Sequence, residues 1–316
     1  MTRWDRYVDF WREREDPDVY AVARIVWGLV VLLNVGHQIA SPGVFELYAL
    51  PAEGGVWPHH PPPWWSLFHW FEPTALTVSV VIGANLVAAI GLTAGAFTRF
   101  MAFALMIIHM ALHQRLGIWA YGGDTLVGVF SFLMVLAPLG SSWSVDALRS
   151  GGQESVPSWP RRLVIAQLTL LYVKTGIVKI GSTWTLWGGY SAVYYVLNDQ
   201  SFARWNGAWS ASVYPLTQIA TWMVGWWETL FFLLPWNQYL RRPAASGGWL
   251  RSTLGRYDLR PLMLGVGACL HLGLFLTLEL GLFSWLTLAL YPWFLRPDEA
   301  RRLLERTLGT RWRGVR

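Results

Sequence analysis

Eight apolar runs, near residues 20–40, 74–96, 98–114, 124–140, 161–181, 212–236, 261–280 and 282–296, organise the chain. Most are long enough for a helix rising 1.5 Å per residue to cross a hydrocarbon layer of roughly 30 Å. The third, fourth and eighth are short. The pattern predicts an all-α fold: a polytopic transmembrane helical bundle of about eight spans. Ahead of the first run, Trp4, Tyr7, Val8 and Trp11 recur at helical spacing among Arg3, Asp5, Arg6, Asp9, Arg12, Glu13, Arg14 and Glu15. This segment is too acidic for a cleaved signal peptide and predicts an amphipathic surface helix within residues 1–19.

Two intervals between runs are neither polar linkers nor spans. Residues 41–73 carry Pro42, Pro51, Pro58, Pro61, Pro62, Pro63 and Pro73, with Trp57, Trp64, Trp65 and Trp70 among them. Prolines at that density forbid one continuous helix and predict a stiff cap on the headgroups. Residues 182–211 hold Trp184, Trp187, Tyr190, Tyr194, Tyr195, Trp205 and Trp209, an aromatic density that suits an interfacial or re-entrant helix.

Composition removes the soluble alternatives. Of 316 residues, 54% are hydrophobic and only 14% charged, where a soluble domain is about a quarter charged. The net charge of +6 does not point to nucleic acid, because its distribution follows membrane topology. With a cytoplasmic N-terminus and eight spans, the inner segments hold 21 of the 25 Lys and Arg residues, as the positive-inside rule requires. Both termini are therefore expected in the cytoplasm, with a membrane domain over residues 1–296 and a basic cytoplasmic tail over 297–316. His59 and His60 precede a proline run in an outer loop, where exposure is the default. The single cysteine, Cys269, excludes an intrachain disulfide framework and a Cys-based zinc site.

Charged and polar residues inside the runs are the candidates for chemistry. A lysine within a span is costly and normally faces an interior or a cavity. Lys179 shares a helical face with Tyr172, Thr175 and Gly176, whereas Gln167 and Lys174 form a second polar row. Two readings of Lys179 stand at this point. Burial favours the neutral amine, a usable base; alternatively, its long stem reaches the outer interface. His109 and His113, four residues apart, project from one helix face and are weak metal candidates, since no third ligand stands at a diagnostic spacing. Hydrogen-bonded histidines of a bundle are the alternative. His271, with Glu279 two turns onward, needs a polar partner within its span. In Tyr121-Gly122-Gly123-Asp124, glycine permits a tight turn and Asp124 begins a helix, where its charge is favoured. Asp124 also lies near the outer level expected for Lys179, so it reads either as a structural cap or as a site carboxylate.

Taken in order, Gly122-Gly123-Asp124, the run from Pro138 through Trp143-Ser144-Val145-Asp146, the stretch from Tyr172 to Trp184, and His271 to Trp285 resemble the horizontally transferred transmembrane (HTTM) family. That family is related to vitamin K-dependent gamma-glutamyl carboxylase, and the resemblance runs over about residues 10–296. It implies an enzyme that couples quinol oxidation to proton abstraction or carboxylation, with Lys179 as the intramembrane base. Asp124, His271 and Tyr172 would complete the catalytic set, and Trp184, His113 and Lys174 would surround the cofactor, a reduced quinone of the vitamin K or menaquinone type. Gly122-Gly123 stands where the animal carboxylase has an Asn-His pair, and the chain lacks that enzyme's large C-terminal domain. The resemblance implies a bacterial inner (plasma) membrane. Expected partners are membrane lipid and a peptide or small-protein substrate, with no nucleic acid and no resident metal. A non-catalytic membrane partner in peptide or protein maturation, or a small-solute transporter, is the alternative; against transport, no inverted repeat is visible.

Overall fold

The computed structural model describes residues 3–58, 60–116, 122–241, 249, 253 and 255–309. Tyr121, His59 and residues 310–316 of the expected tail lie outside the described residues. The chain forms two compact units, one of Met1–Val164 with Trp285–Arg316 and one of Ile165–Ser284. The fold is mostly α-helical, as the periodicity predicts.

In the first unit, a surface helix α1 (Arg3–Arg12) leads through a two-residue strand β1 (Arg14–Glu15) into the long apolar helix α2 (Asp18–Ala40). Short helices α3 (Val44–Tyr48) and α4 (Leu67–Trp70), with a 3-10 turn at Pro51–Glu53, replace any long helix over 41–73. There follow α5 (Ala75–Ala94), α6 (Thr98–Arg115) and α7 (Gly122–Leu136). Helices α2 and α5 are long and apolar enough to cross a membrane. Trp27 and Val31 of α2, Ile82 and Leu92 of α5, Leu105 and Leu112 of α6, and Phe130 and Met134 of α7 form the buried core. Leu33, Val80, Val87 and Phe100 stay exposed, an apolar surface that water would penalise and a lipid layer accommodates.

Below this bundle the chain knots itself together. Strand β1 pairs antiparallel with β2 (Val156–Pro157). Trp143 donates its indole N–H to Asp18 (2.9 Å), and the guanidinium of buried Arg24 donates to the carbonyls of Leu139 and Trp143. Ser144 caps the short helix α8 (Val145–Ser150). Asp146 caps α6, its carboxylate accepting from the backbone N–H groups of Phe97 (2.8 Å) and Thr98 (2.9 Å). Gly95 turns between α5 and α6 at φ 76°, and a Cβ there would meet Ser144 Cβ at 2.3 Å. Arg161 donates to Glu15 and to the carbonyls of Trp293 and Leu295.

The second unit contains the C-terminal part of α9 (Trp159–Ile177), α10 (Ala192–Asn198), α11 (Tyr214–Leu230), α12 (Leu233–Leu240) and α13 (Arg260–Thr277), the third helix long and apolar enough to span. Residues 182–213 adopt 3-10 turns around the seven-residue helix α10. The apolar run 212–236 is interrupted between α11 and α12. Pro235 lacks the N–H that would bond to the carbonyl of Phe231, and its ring would clash there.

The last run also departs from a single spanning helix. Residues 282–296 fold as α14 (Phe283–Leu288) and a 3-10 turn at Tyr291–Phe294. Pro292 explains the stop, since it can neither donate to nor fit against the carbonyl of Leu288. The segment expected as a tail opens with helix α15 (Pro297–Leu308). Its Ala300 and Leu304 are buried with Val19, Val22 and Trp143, and Arg301 pairs with Asp16 and Asp18. Those ion pairs hold the guanidinium of Arg301 above its ordinary pKa, the bond to Asp18 contributing most.

Candidate functional site

Helix α9 ends at Ile177, and Lys179 follows in its final turn, where its N–H bonds to the carbonyl of Gly176 (3.1 Å). The Lys179 ammonium forms an ion pair with Glu228 of α11 and donates to the carbonyl of Thr175 at 3.2 Å. Trp184, in the 3-10 turn that follows, lays its ring 5.2 Å from Nζ, a cation–π contact. Both partners of the ion pair are mostly buried, at 19% and 15% side-chain exposure. The close approach of α9 to α11 has a visible cause: a Cβ on Gly176 would stand 2.5 Å from the backbone N and from Oγ1 of Thr229. Glycine at 176 thus admits α11 closely enough for Glu228 to reach Lys179.

Two turns back along α9, the Tyr172 hydroxyl meets His271 Nε2 of α13 at 2.8 Å. Both residues are buried. Trp227 and Phe231 pack edge-on and tilted against the Tyr172 ring, with centroids at 4.7 and 4.5 Å. Phe283 lies against His271 at 5.9 Å. The remaining ring nitrogen of His271, Nδ1, is buried without a hydrogen-bond partner among the described residues. Lys174 is exposed and lies about 140° around the helix from Lys179 at 100° per residue.

The first unit assembles the other predicted residues into their own cluster. Asp124, at the start of α7, receives both histidines of α6: His109 Nε2 lies 3.1 Å from Oδ1, and His113 Nδ1 lies 3.5 Å from Oδ2. Only the His109 contact has hydrogen-bond geometry. In the neutral tautomer that donates from Nε2 to the Asp124 carboxylate, His109 presents Nδ1 as an acceptor. The Tyr48 hydroxyl is pushed above its ordinary pKa by burial and then by the Asp124 charge. Among the described residues no group of three His, Cys, Asp or Glu side chains is arranged to hold a metal ion. The i, i+4 histidines instead face a carboxylate. A cleft of about 540 Å³, lined by Arg99, Asp146 and Gln153 among others, opens at the other end of α6; its carboxylate is occupied in capping that helix.

The arrangement of these side chains sits within a recognisable stretch of sequence: the family model described as the HTTM domain matches residues 12–245. The chain belongs to the HTTM family. Lys179, Glu228, Trp184, Tyr172, His109, His113 and Asp124 all fall inside the HTTM match, and His271 falls beyond it. No curated protein and no solved structure matches the chain. It is a helical membrane protein of the HTTM family.

Glu228 is the functional candidate that spacing alone misses. Its signal is nonetheless present, for it is the sole charged residue in the apolar run 212–236, and an ionisable residue within a span is a site hypothesis by default. Its pairing with Lys179 could not be read, because the two lie 49 residues apart on helices joined by a long aromatic segment.

Proposed function

We propose that this HTTM protein is a membrane-embedded enzyme in which Lys179 acts as a base and a reduced quinone is the co-substrate. The observation that carries the reading is the Lys179–Glu228 pair at the frayed end of α9. An ammonium and a carboxylate held out of water lose much of their solvation, so moving the proton from Lys179 to Glu228 trades two desolvated charges for two neutral groups. That transfer exposes a neutral amine, able to take a proton from a quinol hydroxyl or from a carbon acid. Trp184 covers the amine on one side. The Tyr172–His271 pair among Trp227, Phe231 and Phe283 offers flat apolar walls and a polar tip, which suits a quinol ring. The quinol supplies reducing power against oxygen, and the acceptor of the reaction, a peptide or small protein, would be deprotonated or carboxylated.

The same reading sets the protein in a bacterial inner membrane with eight crossings and both ends in the cytoplasm. The Arg distribution supports the orientation. The pairing of Asp16 and Asp18 with Arg301 supports an even number of crossings, since it brings the start of α2 and the start of α15 to one side. The residues of α14 and the following 3-10 turn would then form the eighth crossing as a broken segment.

A second reading draws on the same pair: Lys179 and Glu228 as a structural tie in a non-catalytic partner protein. Purified protein in lipid nanodiscs separates the two. Under oxygen, wild type is expected to oxidise a naphthoquinol, and folded Lys179→Ala and Glu228→Gln variants to lose that activity. A folded wild type inactive on several quinols would sink the enzyme reading. A Lys179→Met/Glu228→Leu double variant that keeps both its stability and its quinol oxidation would also sink it.

A further inference from the structure

The first unit buries polar atoms that its own side chains do not satisfy. Asn85, in the middle of α5, is fully buried, and neither its Oδ1 nor its Nδ2 has a hydrogen-bond partner among the described residues. The hydroxyl of Ser131 on α7 and the Nδ1 of His109 on α6 are in the same condition, each on a residue at most 1% exposed. Buried polar groups are nearly always hydrogen-bonded to protein or to ordered water, and an orphaned amide in a low-dielectric interior is costly.

Two close approaches fix the helical levels of these groups. A Cβ on Gly91 of α5 would touch Met101 of α6 at 2.9 Å, and one on Gly128 of α7 would lie 3.5 Å from Met110 of α6. These helices run antiparallel. Six residues outward from Gly91 is Asn85, level with position 107 of α6. Three residues inward from Gly128 is Ser131, level with the same position 107. His109 stands two residues farther out, about 3 Å along the axis. The orphaned amide, hydroxyl and imidazole nitrogen therefore occupy one narrow level on three neighbouring helices. Across the imidazole of His109, Nε2 already holds Asp124.

We propose that this level holds a small cluster of ordered waters, bonded to Asn85, Ser131 and His109 Nδ1, and that His109 links it to the Asp124 carboxylate. The chemistry of the donors and acceptors fits water. Asn85 offers both donor and acceptor, Ser131 either, and His109 Nδ1 an acceptor once Nε2 donates to Asp124. A buried water typically makes about three such bonds. Apolar side chains such as Ile82, Leu105, Val127 and Phe130 are buried on the same three helices, so the cluster would be small. His113, 34% exposed, gives the Asp124 carboxylate an outer edge. Among the described residues, the charged and titratable groups near that outer edge include Tyr48 and Arg115. Asp124 acts on the first, and the second donates to the carbonyls of Ala49 and Val56. The assembly is an internal hydrogen-bonded chain: water, imidazole, carboxylate. It can carry a proton between mid-membrane and the outer half of this unit, and it stands independently of the chemistry assigned to Lys179.

Water-edited solid-state NMR on the full chain in lipid bilayers tests this directly. Magnetisation from water is expected to reach the Asn85 side-chain amide and the His109 ring at rates seen for bound internal water. In Asn85→Leu, which keeps the volume but removes the amide, the transfer to His109 should fall several-fold. If Asn85 and His109 receive no more magnetisation than the buried Ile82 and Leu105 side chains, the level is dry and the proposal fails. Thermal stability reads the same point with the opposite sign for the two cases. In a hydrated cluster Asn85→Leu lowers Tm by several degrees, whereas in a dry core it removes an orphaned amide and raises Tm. Should Asn85→Leu fail to fold, wild type and Ser131→Ala supply the same NMR comparison.

Discussion

The knot around Trp143-Ser144-Val145-Asp146 and the pair formed by Lys179 and Glu228 both fall within the residues matched to the HTTM domain, yet they use polarity in opposite ways. In the knot, side chains are spent on backbone: Asp146 accepts from two N–H groups of α6, Ser144 caps α8, and Arg24 donates to carbonyls. Such bonds fix the chain path and leave little to exchange. At the end of α9, two oppositely charged side chains face each other, with the ring of Trp184 against the ammonium. A family motif is therefore not a site merely because it is polar. On the proposed reading, what separates scaffold from chemistry is whether the polar atoms terminate on the backbone or on one another.

Breaking each side of this comparison should give distinct outcomes. Lys179→Ala has the largest expected effect. Removal of a general base typically costs 100- to 10,000-fold in rate, and leaving Glu228 without its counter-charge should cost about 3 kcal/mol of stability; nanodisc quinol oxidation and thermal melting read the two separately. Asp146→Ala should lower stability by about 2 kcal/mol through the lost cap of α6 while the rate per folded molecule stays unchanged; a rate loss of the size seen for Lys179→Ala would erase the distinction. Gly176→Ala should cost about 1–2 kcal/mol by pressing a methyl group on Thr229, and should reduce activity by moving Glu228 away from Lys179. Trp184→Leu removes the cation–π contact, with an expected loss of about 0.5–1 kcal/mol; a crystal or cryo-EM structure should show Lys179 still on Glu228.

Much of this architecture is legible in the chain. The apolar runs mark α2, α5, α6 and α13, and the prolines of 41–73 correctly exclude a long helix there. Hydropathy does not reveal where a run is cut from within. Pro235 and Pro292 each sit in apolar surroundings and leave the window average high while removing a backbone donor. Tyr172 and His271 are visible singly as polar residues in spans, but their bond joins positions 99 residues apart. His109 and His113 announce a shared face through their spacing; that the face meets Asp124 depends on how α6 and α7 pack. The WSVD run shows the converse limit, a recognisable pattern whose role emerges only from the backbone atoms it reaches.

The pairing of Asp18 with Arg301 has a consequence for how the protein is made. These residues are 283 positions apart, and synthesis at about 5–20 residues per second separates their appearance by roughly 15–60 s. Throughout that interval the first long helix has been synthesised, while Asp16 and Asp18 at its start wait for a guanidinium that has not yet left the ribosome. The whole of the second unit is produced inside this delay. Closure of the first unit is thus a late event in biogenesis, and helix α15 acts as its latch.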